Sequence, residues 1–146
     1  MLEFGTMVPN VTYILRPGGY AVIKSASGDV AIISTSDGLF LPGGGTHKSE
    51  SSEQSVVRET FEECGLKIRI LKSAGVADEF VFAQKEMKYY RKRCSFFEAE
   101  AIEEFKVNEP DTELIWMAPD KAAIQLHHAC HRWAVTEVCG LTRCSS

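Results

Sequence analysis

Short apolar runs separated by glycine-containing breaks dominate the N-terminal part of the chain. Residues 19–25 and 30–34 are rich in β-branched and small apolar side chains, and a loop containing glycine lies between them at residues 26–29. This pattern predicts two strands joined as a hairpin. A third strand is predicted at residues 39–41. Residues 42–45, a proline followed by glycines, are expected to end it and begin a loop, because proline lacks a backbone donor and glycine resists extension.

The period changes to that of a helix after the glycine run. From Ser51 to just before Gly65, apolar side chains recur every three to four positions, which predicts a helix with one buried face. We expect Val56, Val57, Thr60, Phe61 and Cys64 to lie on that face, with Val57 and Phe61 packed inward. Ser51 and Gln54 have the spacing of a capping box, and Gly65 is suited to end the helix in a left-handed conformation.

The rest of the chain is predicted to be mainly β-structure followed by two helices. Runs rich in Ile, Val, Phe and Tyr predict strands, whereas a charged stretch that contains proline predicts a loop. The predicted elements are strands at residues 67–77, 79–84, 88–101 and 114–117, a loop at 103–113, and helices at about 120–126 and 129–138.

Composition places the chain among ordinary globular domains. It has 146 residues, of which 45% are hydrophobic and 25% are charged. A chain of this length can bury one hydrophobic core, so we expect a single domain over residues 1–146. The formal net charge of −4 disfavours binding to a nucleic-acid polymer, which needs clustered Lys and Arg side chains.

Cysteine content and hydropathy indicate the compartment. The five cysteines are widely spaced and form no CxxC pair, so neither a disulfide framework nor a zinc knuckle is predicted. No apolar run reaches the roughly 18 residues that a membrane helix needs, and the N-terminus lacks the pattern of a signal peptide. We therefore expect a cytoplasmic protein without a membrane partner.

Three glutamates in the predicted helix form the strongest chemical signal. Glu59, Glu62 and Glu63 have i, i+3 and i+4 spacing, which places their carboxylates on one helix face, opposite the face that we expect to be buried. Arg58 can offset part of their repulsion. Clustered carboxylates next to an open loop are typical of a Mg²⁺ site, because this ion prefers oxygen ligands and also binds substrate phosphates.

This segment resembles the Nudix box, whose pattern is G-x5-E-x7-R-E-U-x-E-E-x-G-U, with U an aliphatic residue. Thr60 occupies one U position, and Ser49 stands where many members have glycine, but neither change removes a carboxylate. The order of strand, glycine loop, helix and returning strands also follows the family over most of the chain. The matching positions are Gly44, Glu50, Arg58, Glu59, Glu62, Glu63, Gly65 and Leu66.

The resemblance to Nudix (MutT-like) hydrolases implies a fold and an activity. The implied fold belongs to the α/β class and is an α/β/α sandwich around a central mixed β-sheet. The implied activity is Mg²⁺-dependent hydrolysis of a phosphoanhydride bond in a small nucleotide, a nucleoside diphosphate linked to a group X, with Mn²⁺ as an alternative ion. The implied site consists of the metal ligands Glu59, Glu62 and Glu63, the orienting Arg58, and the substrate-facing Gly44 and Gly45.

The resemblance does not identify the general base. The base is either Glu59 or a glutamate outside the box, because family members differ in its position. Glu113 is our first choice outside the box, since it immediately precedes the last predicted strand, and Glu100 is the second. The other candidates are Glu98 and Glu109.

Basic and aromatic residues alternate at residues 88–93. Strand alternation would place Tyr90 and Lys92 on one face and Arg91 and Arg93 on the other. Tyr90 and Arg91 are our candidates for stacking on a base and for binding phosphate. A solvated edge strand is an equally valid interpretation of this pattern.

Two other functions remain open at the level of sequence. One is a non-catalytic Nudix-fold module that binds a nucleotide or regulates another protein, and the other is an interaction domain with an acidic helix. The intact box glutamates favour an enzyme over both. We leave open whether the chain forms a homodimer. A zinc site at His127, His128, Cys130 and His131 is disfavoured, because these residues do not share one helix face.

Overall fold

The computed structural model describes residues 1–141 and shows one mixed sheet packed between helices. The elements are β1 (Leu2–Phe4), β2 (Ile14–Lys24), β3 (Val30–Thr35), β4 (Gly38–Phe40), β5 (Gly43–Gly45), α1 (Ser52–Cys64), β6 (Leu66–Ala83), β7 (Lys88–Glu104), β8 (Glu113–Met117), α2 (Pro119–Gln125) and α3 (Ala129–Val138).

The sheet mixes parallel and antiparallel pairs. Its strands follow the order β1-β6-β7-β2-β3-β4, with β5 paired to β2 and β8 paired to β3. β2 runs parallel to β7, and β1 runs parallel to β6, whereas the long β6–β7 pair and the β3 pairs are antiparallel. The central mixed sheet expected from the family resemblance is confirmed.

Each face of the sheet has its own hydrophobic core. Alternating residues of β2 point to opposite faces, so Val22 belongs to the core beneath α2 and α3, and Ile23 belongs to the core beneath α1. Ile32 and Ile33 of β3 divide in the same way. The helices on the two faces make the molecule an α/β/α sandwich, as expected.

Helix α1 begins and ends as its sequence predicts. The Ser51 hydroxyl accepts a hydrogen bond from the Gln54 N–H, and the Gln54 side chain accepts one from the Ser51 N–H, which completes the capping box. Gly65 ends the helix at φ 72° and donates its N–H to the Phe61 carbonyl. A side chain in this left-handed conformation would be strained, which explains the glycine.

The buried face of α1 differs from the expected one. Val56, Thr60 and Cys64 are buried on the sheet, whereas Val57 and Phe61 are 37% and 43% exposed. The prediction is therefore confirmed for Val56, Thr60 and Cys64, but an inward Val57/Phe61 face was wrong by about one residue of helical rotation. Two apolar stripes run along this helix, and helical period alone does not decide which of them meets the sheet.

The glycine run is also different from the expected loop. Gly43–Gly45 form β5, with Gly43, Gly44 and Gly45 paired to Tyr20, Gly19 and Gly18 of β2. The strand predicted at residues 39–41 does end before Pro42, since β4 ends at Phe40. The prediction that the glycines form a loop was wrong, because backbone pairing with β2 offsets the entropic cost of ordering glycine. Glycine is required here, since a Cβ on Gly43 would lie 2.1 Å from the Gly19 carbonyl oxygen.

Several boundaries in the sheet differ from the predicted ones, among them the start of β2, which lies at Ile14 and not at residue 19. Residues 67–77 and 79–84 were predicted as two strands, but they form the single strand β6, in which register shifts relieve the mismatch with β7. β7 continues to Glu104, into the predicted 103–113 loop. The short strand β1 was not predicted. Among residues 1–141, no helix has the length and hydropathy that a membrane-spanning helix requires.

Candidate active site

Arg58 joins several carboxylates at the surface of α1. Its guanidinium makes two hydrogen bonds to Glu50, through Nε at 3.0 Å and Nη2 at 2.7 Å. Its Nη1 lies 3.0 Å from Glu62 and 3.1 Å from Glu59. Arg58 therefore contacts Glu59 and Glu62 while it is paired with Glu50.

The glycines of β5 contact the other side of the same carboxylates. The Gly43 N–H donates to Glu63 at 3.0 Å. A Cβ on Gly44 would lie 2.9 Å from the carboxyl carbon of Glu59, so the absent side chain provides the space that this carboxylate occupies. The buried Ser55 hydroxyl donates to the Gly44 and Gly45 carbonyls and ties β5 to α1. The box thus folds into one compact unit of strand and helix.

Environment moves the pKa values of two box glutamates in opposite directions. Hydrogen bonds from Arg58 and from the His47 N–H lower the pKa of Glu50 to about 2. Burial raises the pKa of Glu63 to about 7, and the charges of Glu59, Glu109 and Glu62 add to this effect. Glu50 is thus paired with a cation of the protein, whereas Glu63 lies among like charges.

The donor set suits a hard divalent cation, although it is not assembled as a complete cluster. Within residues 1–141, no three His, Cys, Asp or Glu side chains are arranged as a ready-formed metal site. Glu63 is nevertheless a half-buried carboxylate whose neighbours Glu59 and Glu62 carry the same charge, and a cation would relieve this repulsion. Carboxylate oxygens are also the ligands that Mg²⁺ prefers.

A basic cavity opens beside Glu59. It has a volume of about 430 Å³, and its walls include Arg16, Lys92 and Thr46 as well as Glu59 and Gly45. A second, smaller cavity of about 180 Å³ shares Lys92 and Tyr20 with it and is lined by Glu63 and His131. The box glutamates therefore face two adjoining cavities, and Lys92 borders both.

Comparison with known proteins agrees with this geometry. The family model described as NUDIX domain matches residues 11–137, which is most of the chain. The chain belongs to the Nudix hydrolase family. No curated protein sequence matches it. The match includes the box, the whole of α1 and the residues that line the basic cavity.

Solved structures of Nudix proteins have the same fold. A MutT Nudix hydrolase from Burkholderia pseudomallei is 25% identical and has a TM-score of 0.66, with 85% of this chain and 98% of that chain covered. A dihydroneopterin triphosphate pyrophosphohydrolase from E. coli is 14% identical with a TM-score of 0.73, over 88% and 99% of the two chains. An ADP-ribose pyrophosphatase from Streptococcus suis is 20% identical with a TM-score of 0.61, over 84% and 90%.

Tyr90 and Arg91, the two residues of β7 that were predicted to bind substrate, lie in different surroundings. Arg91 does not reach the basic cavity, because it pairs with the buried Asp78 and lies 3.9 Å from Glu3. Tyr90 is buried, and its ring lies beneath the guanidinium of Arg16 at 4.0 Å. Tyr90 therefore contacts the cavity through Arg16. The sequence analysis did not identify Arg16, since it lies far from the box, near the start of β2.

Glu113, the first choice as general base, lies away from α1. Leu114 packs in the core beneath α1, and Ile115 packs in the core beneath α2 and α3. Because neighbouring residues of a strand point to opposite faces, Glu113 is on the α2/α3 side of β8. The structure therefore does not bring Glu113 to the box glutamates. The sequence placed Glu113 immediately before the last strand, and in the structure it is the first residue of β8. The face of the sheet that its side chain occupies could not be predicted from the sequence.

The remaining glutamates outside the box differ in their surroundings. Glu98 pairs with Lys24 at 3.2 Å and with Lys72 at 3.5 Å, and Glu100 pairs with Arg69. Both are thus neutralised on the surface of the sheet. Glu109 lies in the loop before β8, and its charge contributes to the raised pKa of Glu63. Of these candidates, Glu109 is the one whose charge acts on a box glutamate.

Proposed function

We propose that this Nudix hydrolase cleaves a phosphoanhydride bond in a nucleoside diphosphate linked to a group X, with Mg²⁺ as its metal and Mn²⁺ as a substitute. The observation that carries the proposal is the position of Glu59, which lines a cavity together with two basic side chains, Arg16 and Lys92. A diphosphate is an anion, and cations stabilise it when it is bound. A metal held at Glu59 would lie across the cavity from the protein's own cations, Arg16 and Lys92.

Glu59, Glu62 and Glu63 would hold the metal, because their carboxylates share one face of α1 beside β5. When bound, Mg²⁺ neutralises charge on the diphosphate and makes a nearby water more acidic. Arg58 would orient two of the carboxylates through its contacts with Glu59 and Glu62. Gly43 would orient the third through its N–H.

The general base is assigned to Glu109 or to Glu59. Glu109 acts electrostatically on Glu63, and Glu59 lines the basic cavity. Either carboxylate could accept a proton from the attacking water when the substrate is bound. Proton transfer of this kind typically contributes about 10²–10⁴-fold to the rate.

The names of the structural neighbours support chemistry at a diphosphate. One neighbour is named as a pyrophosphohydrolase of a triphosphate, and another is named as an ADP-ribose pyrophosphatase. Both names describe cleavage between two phosphoryl groups, although X differs between them. We therefore propose that this chain cleaves the same type of bond, and we leave the identity of the nucleobase and the nucleoside open.

A substrate screen tests the proposal. Purified protein would be incubated with nucleoside triphosphates, dinucleoside polyphosphates, ADP-ribose and nucleotide sugars, with Mg²⁺, with Mn²⁺ or with EDTA, and phosphate release would be measured after a phosphatase step. We expect turnover of at least one compound and its loss in EDTA. Absence of turnover on the whole panel with either metal would contradict the assignment.

A nucleotide-binding module without turnover is the alternative, and the same screen separates the two. Mg²⁺ should raise the melting temperature of either kind of protein, because a ligand that binds only the folded state stabilises it. Only the enzyme should release phosphate. The cytoplasmic location and the question of a homodimer remain predictions for cell fractionation and for size-exclusion chromatography with light scattering.

A further inference from the structure

Arg16 and Lys92 are the two basic residues of the cavity beside Glu59 that have no carboxylate partner within residues 1–141. Arg58 and Arg93, by contrast, are paired with the carboxylates of Glu50 and Asp78. Positive charge that faces a cavity without a counterion is available to an anionic ligand. The location of these two cations matters, because the box glutamate Glu59 lines the same cavity.

Arg16 is held in a defined orientation by Tyr90. Its Cζ atom lies 4.0 Å from the centroid of the Tyr90 ring, and its Nη2 donates to the Tyr90 hydroxyl at 3.2 Å. The Tyr90 hydroxyl in turn donates to Glu86. A guanidinium has five N–H donors, so one bond to tyrosine leaves most of them for a ligand. The planar group is thus preorganised to bind a phosphate with two hydrogen bonds.

Thr46 adds an unpartnered donor to the same cavity. Its backbone N–H donates to the Pro17 carbonyl at 3.0 Å, which fixes the residue, but its buried hydroxyl has no hydrogen-bond partner. A buried hydroxyl without a partner is unfavourable, and a ligand oxygen would satisfy it. Gly18 and Gly45 lie beside it and expose only backbone.

We propose that Arg16, Lys92 and the Thr46 hydroxyl form an anion clamp that binds a phosphoryl group of X. The inference rests on the proposed function, since its ligand is the substrate of that reaction. The box glutamates would hold the metal at the bond that is cut, and the clamp would bind a third phosphoryl group, in X, beyond the two that this bond joins. X is then a phosphate or a phosphate-linked group, as in nucleoside triphosphates and dinucleoside polyphosphates, and not an uncharged sugar.

A binding experiment tests the clamp without turnover. Isothermal titration calorimetry would measure the Kd of inorganic tripolyphosphate at constant free Mg²⁺ for the parent, Arg16→Gln and Lys92→Gln. Each substitution should raise the Kd by roughly 10- to 100-fold, because each removes charge-assisted hydrogen bonds. Arg69→Gln and Lys48→Gln are the matched controls: they make the same charge changes outside the cavity and should alter the Kd by less than about twofold. Equal effects of all four substitutions would overturn the clamp.

A substrate comparison tests which X the clamp selects. The ratio of kcat/KM for ATP to that for ADP-ribose should exceed about tenfold in the parent and fall towards one in Arg16→Gln, since only ATP carries a third phosphoryl group, in X, beyond the two that the cut bond joins. An unchanged ratio with active protein would overturn the inference and leave the proposed function intact. Loss of tripolyphosphate binding in Arg16→Gln, together with no turnover by the parent, would support an anion site at this cavity and contradict the proposed function.

Tyr90 acts in this scheme as a positioning residue, which kinetics can separate from a purely structural role. Tyr90→Leu should raise the KM for ATP several-fold and leave kcat nearly unchanged, because the stacked orientation of Arg16 is lost. Tyr90→Phe keeps the ring and should recover most of the KM. Equal KM values for Tyr90→Leu and the parent would exclude the positioning role.

Discussion

At the scale of single residues, the site is organised by the different partners of similar carboxylates. Glu50 is neutralised by Arg58, Glu59 lies against Gly44, and Glu63 is half-buried beside like charges. The box therefore contains one glutamate that orients the arginine and others that are available to a cation. Substitution of each carboxylate should have a different consequence.

Glu63→Gln should lower kcat/KM by roughly 100-fold, because even changes beside the direct ligands of a metal commonly cost 10–100-fold. The protein should remain folded, since the amide oxygen can still accept the Gly43 N–H. Steady-state kinetics at saturating Mg²⁺ would measure the effect. Glu53→Gln, which makes the same change in the exposed first turn of α1, is the control. Comparable activity of the two variants would remove Glu63 from the metal site.

Glu109→Gln should lower kcat by about 10²-fold or more and leave the Mg²⁺ requirement unchanged if Glu109 is the base, because only proton transfer is lost. Glu113→Gln should be nearly silent, since Glu113 lies on the other face of the sheet. Turnover rates and Mg²⁺ titrations would be compared for the two variants. A silent Glu109→Gln would assign the base to Glu59, and an impaired Glu113→Gln would contradict the direction of β8.

At the scale of elements, α1 and β5 form the proposed catalytic unit, and each positions the other. Ser55 of α1 donates to two β5 carbonyls, and Glu63 accepts from a β5 N–H. β5 is in turn paired with β2, which contributes Arg16 to the basic cavity. Small errors in the distance between α1 and β5 should therefore affect catalysis more than stability.

Gly44→Ala should reduce activity with little loss of stability. The new Cβ would lie 2.9 Å from the Glu59 carboxyl carbon, and this flexible side chain can move away. The movement would displace a metal ligand, for which roughly a 10–100-fold loss of kcat/KM is expected. Gly45→Ala adds the same methyl where nothing lies within 4 Å, so its effect should be much smaller. Similar losses in both variants would argue against displacement of Glu59.

The orientation of α1 predicts an asymmetry between two neighbouring apolar stripes. Val56→Ala should destabilise the protein by about 2 kcal/mol, because it leaves a cavity on the sheet. Phe61→Ala should cost about 1 kcal/mol, since Phe61 is largely exposed and mainly loses its ring contact with Phe105 at 5.6 Å. Urea unfolding would give both values. A larger loss of stability for Phe61→Ala than for Val56→Ala would instead support the helix orientation expected from the sequence.

At the scale of the whole molecule, the long β6–β7 pair connects the active-site side of the sheet with its edge strand β1. Asp78 of β6 is fully buried and binds both Arg91 and Arg93 of β7. Its hydrogen bonds with Arg93 and then Arg91 lower its pKa and outweigh the effect of burial. This carboxylate therefore stabilises the sheet only while it is ionised.

Asp78→Asn should destabilise the protein by about 2 kcal/mol at neutral pH, because two arginines lose a charged partner but keep access to water. A lowered folded-state pKa gives stability above the unfolded value of about 3.9 and loses it as pH falls towards the folded value. The difference between the parent and Asp78→Asn should thus shrink below about pH 4. Urea unfolding across this range would measure it, with the exposed Asp37→Asn as control. A difference independent of pH would contradict the ion pairs.

Local patterns were sufficient for much of this protein. The boundaries of α1 follow from Ser51, Gln54 and Gly65, which interact with their own neighbours in the chain. The box spacing also identified Arg58 and the three glutamates, because i, i+3 and i+4 positions share a helix face in any context. These features depend on contacts within a few residues, so the sequence by itself determined them.

Only the tertiary structure decided the features that depend on distant partners. The inward stripe of α1 depends on how the helix meets the sheet, and β5 forms because β2 supplies hydrogen bonds to a glycine run. Arg16 reaches the site because β2 lies beside β7, where Tyr90 supports it, while Glu113 is excluded by the face of β8 that it occupies. Long-range pairing brings these residues together, and no local period carries that information.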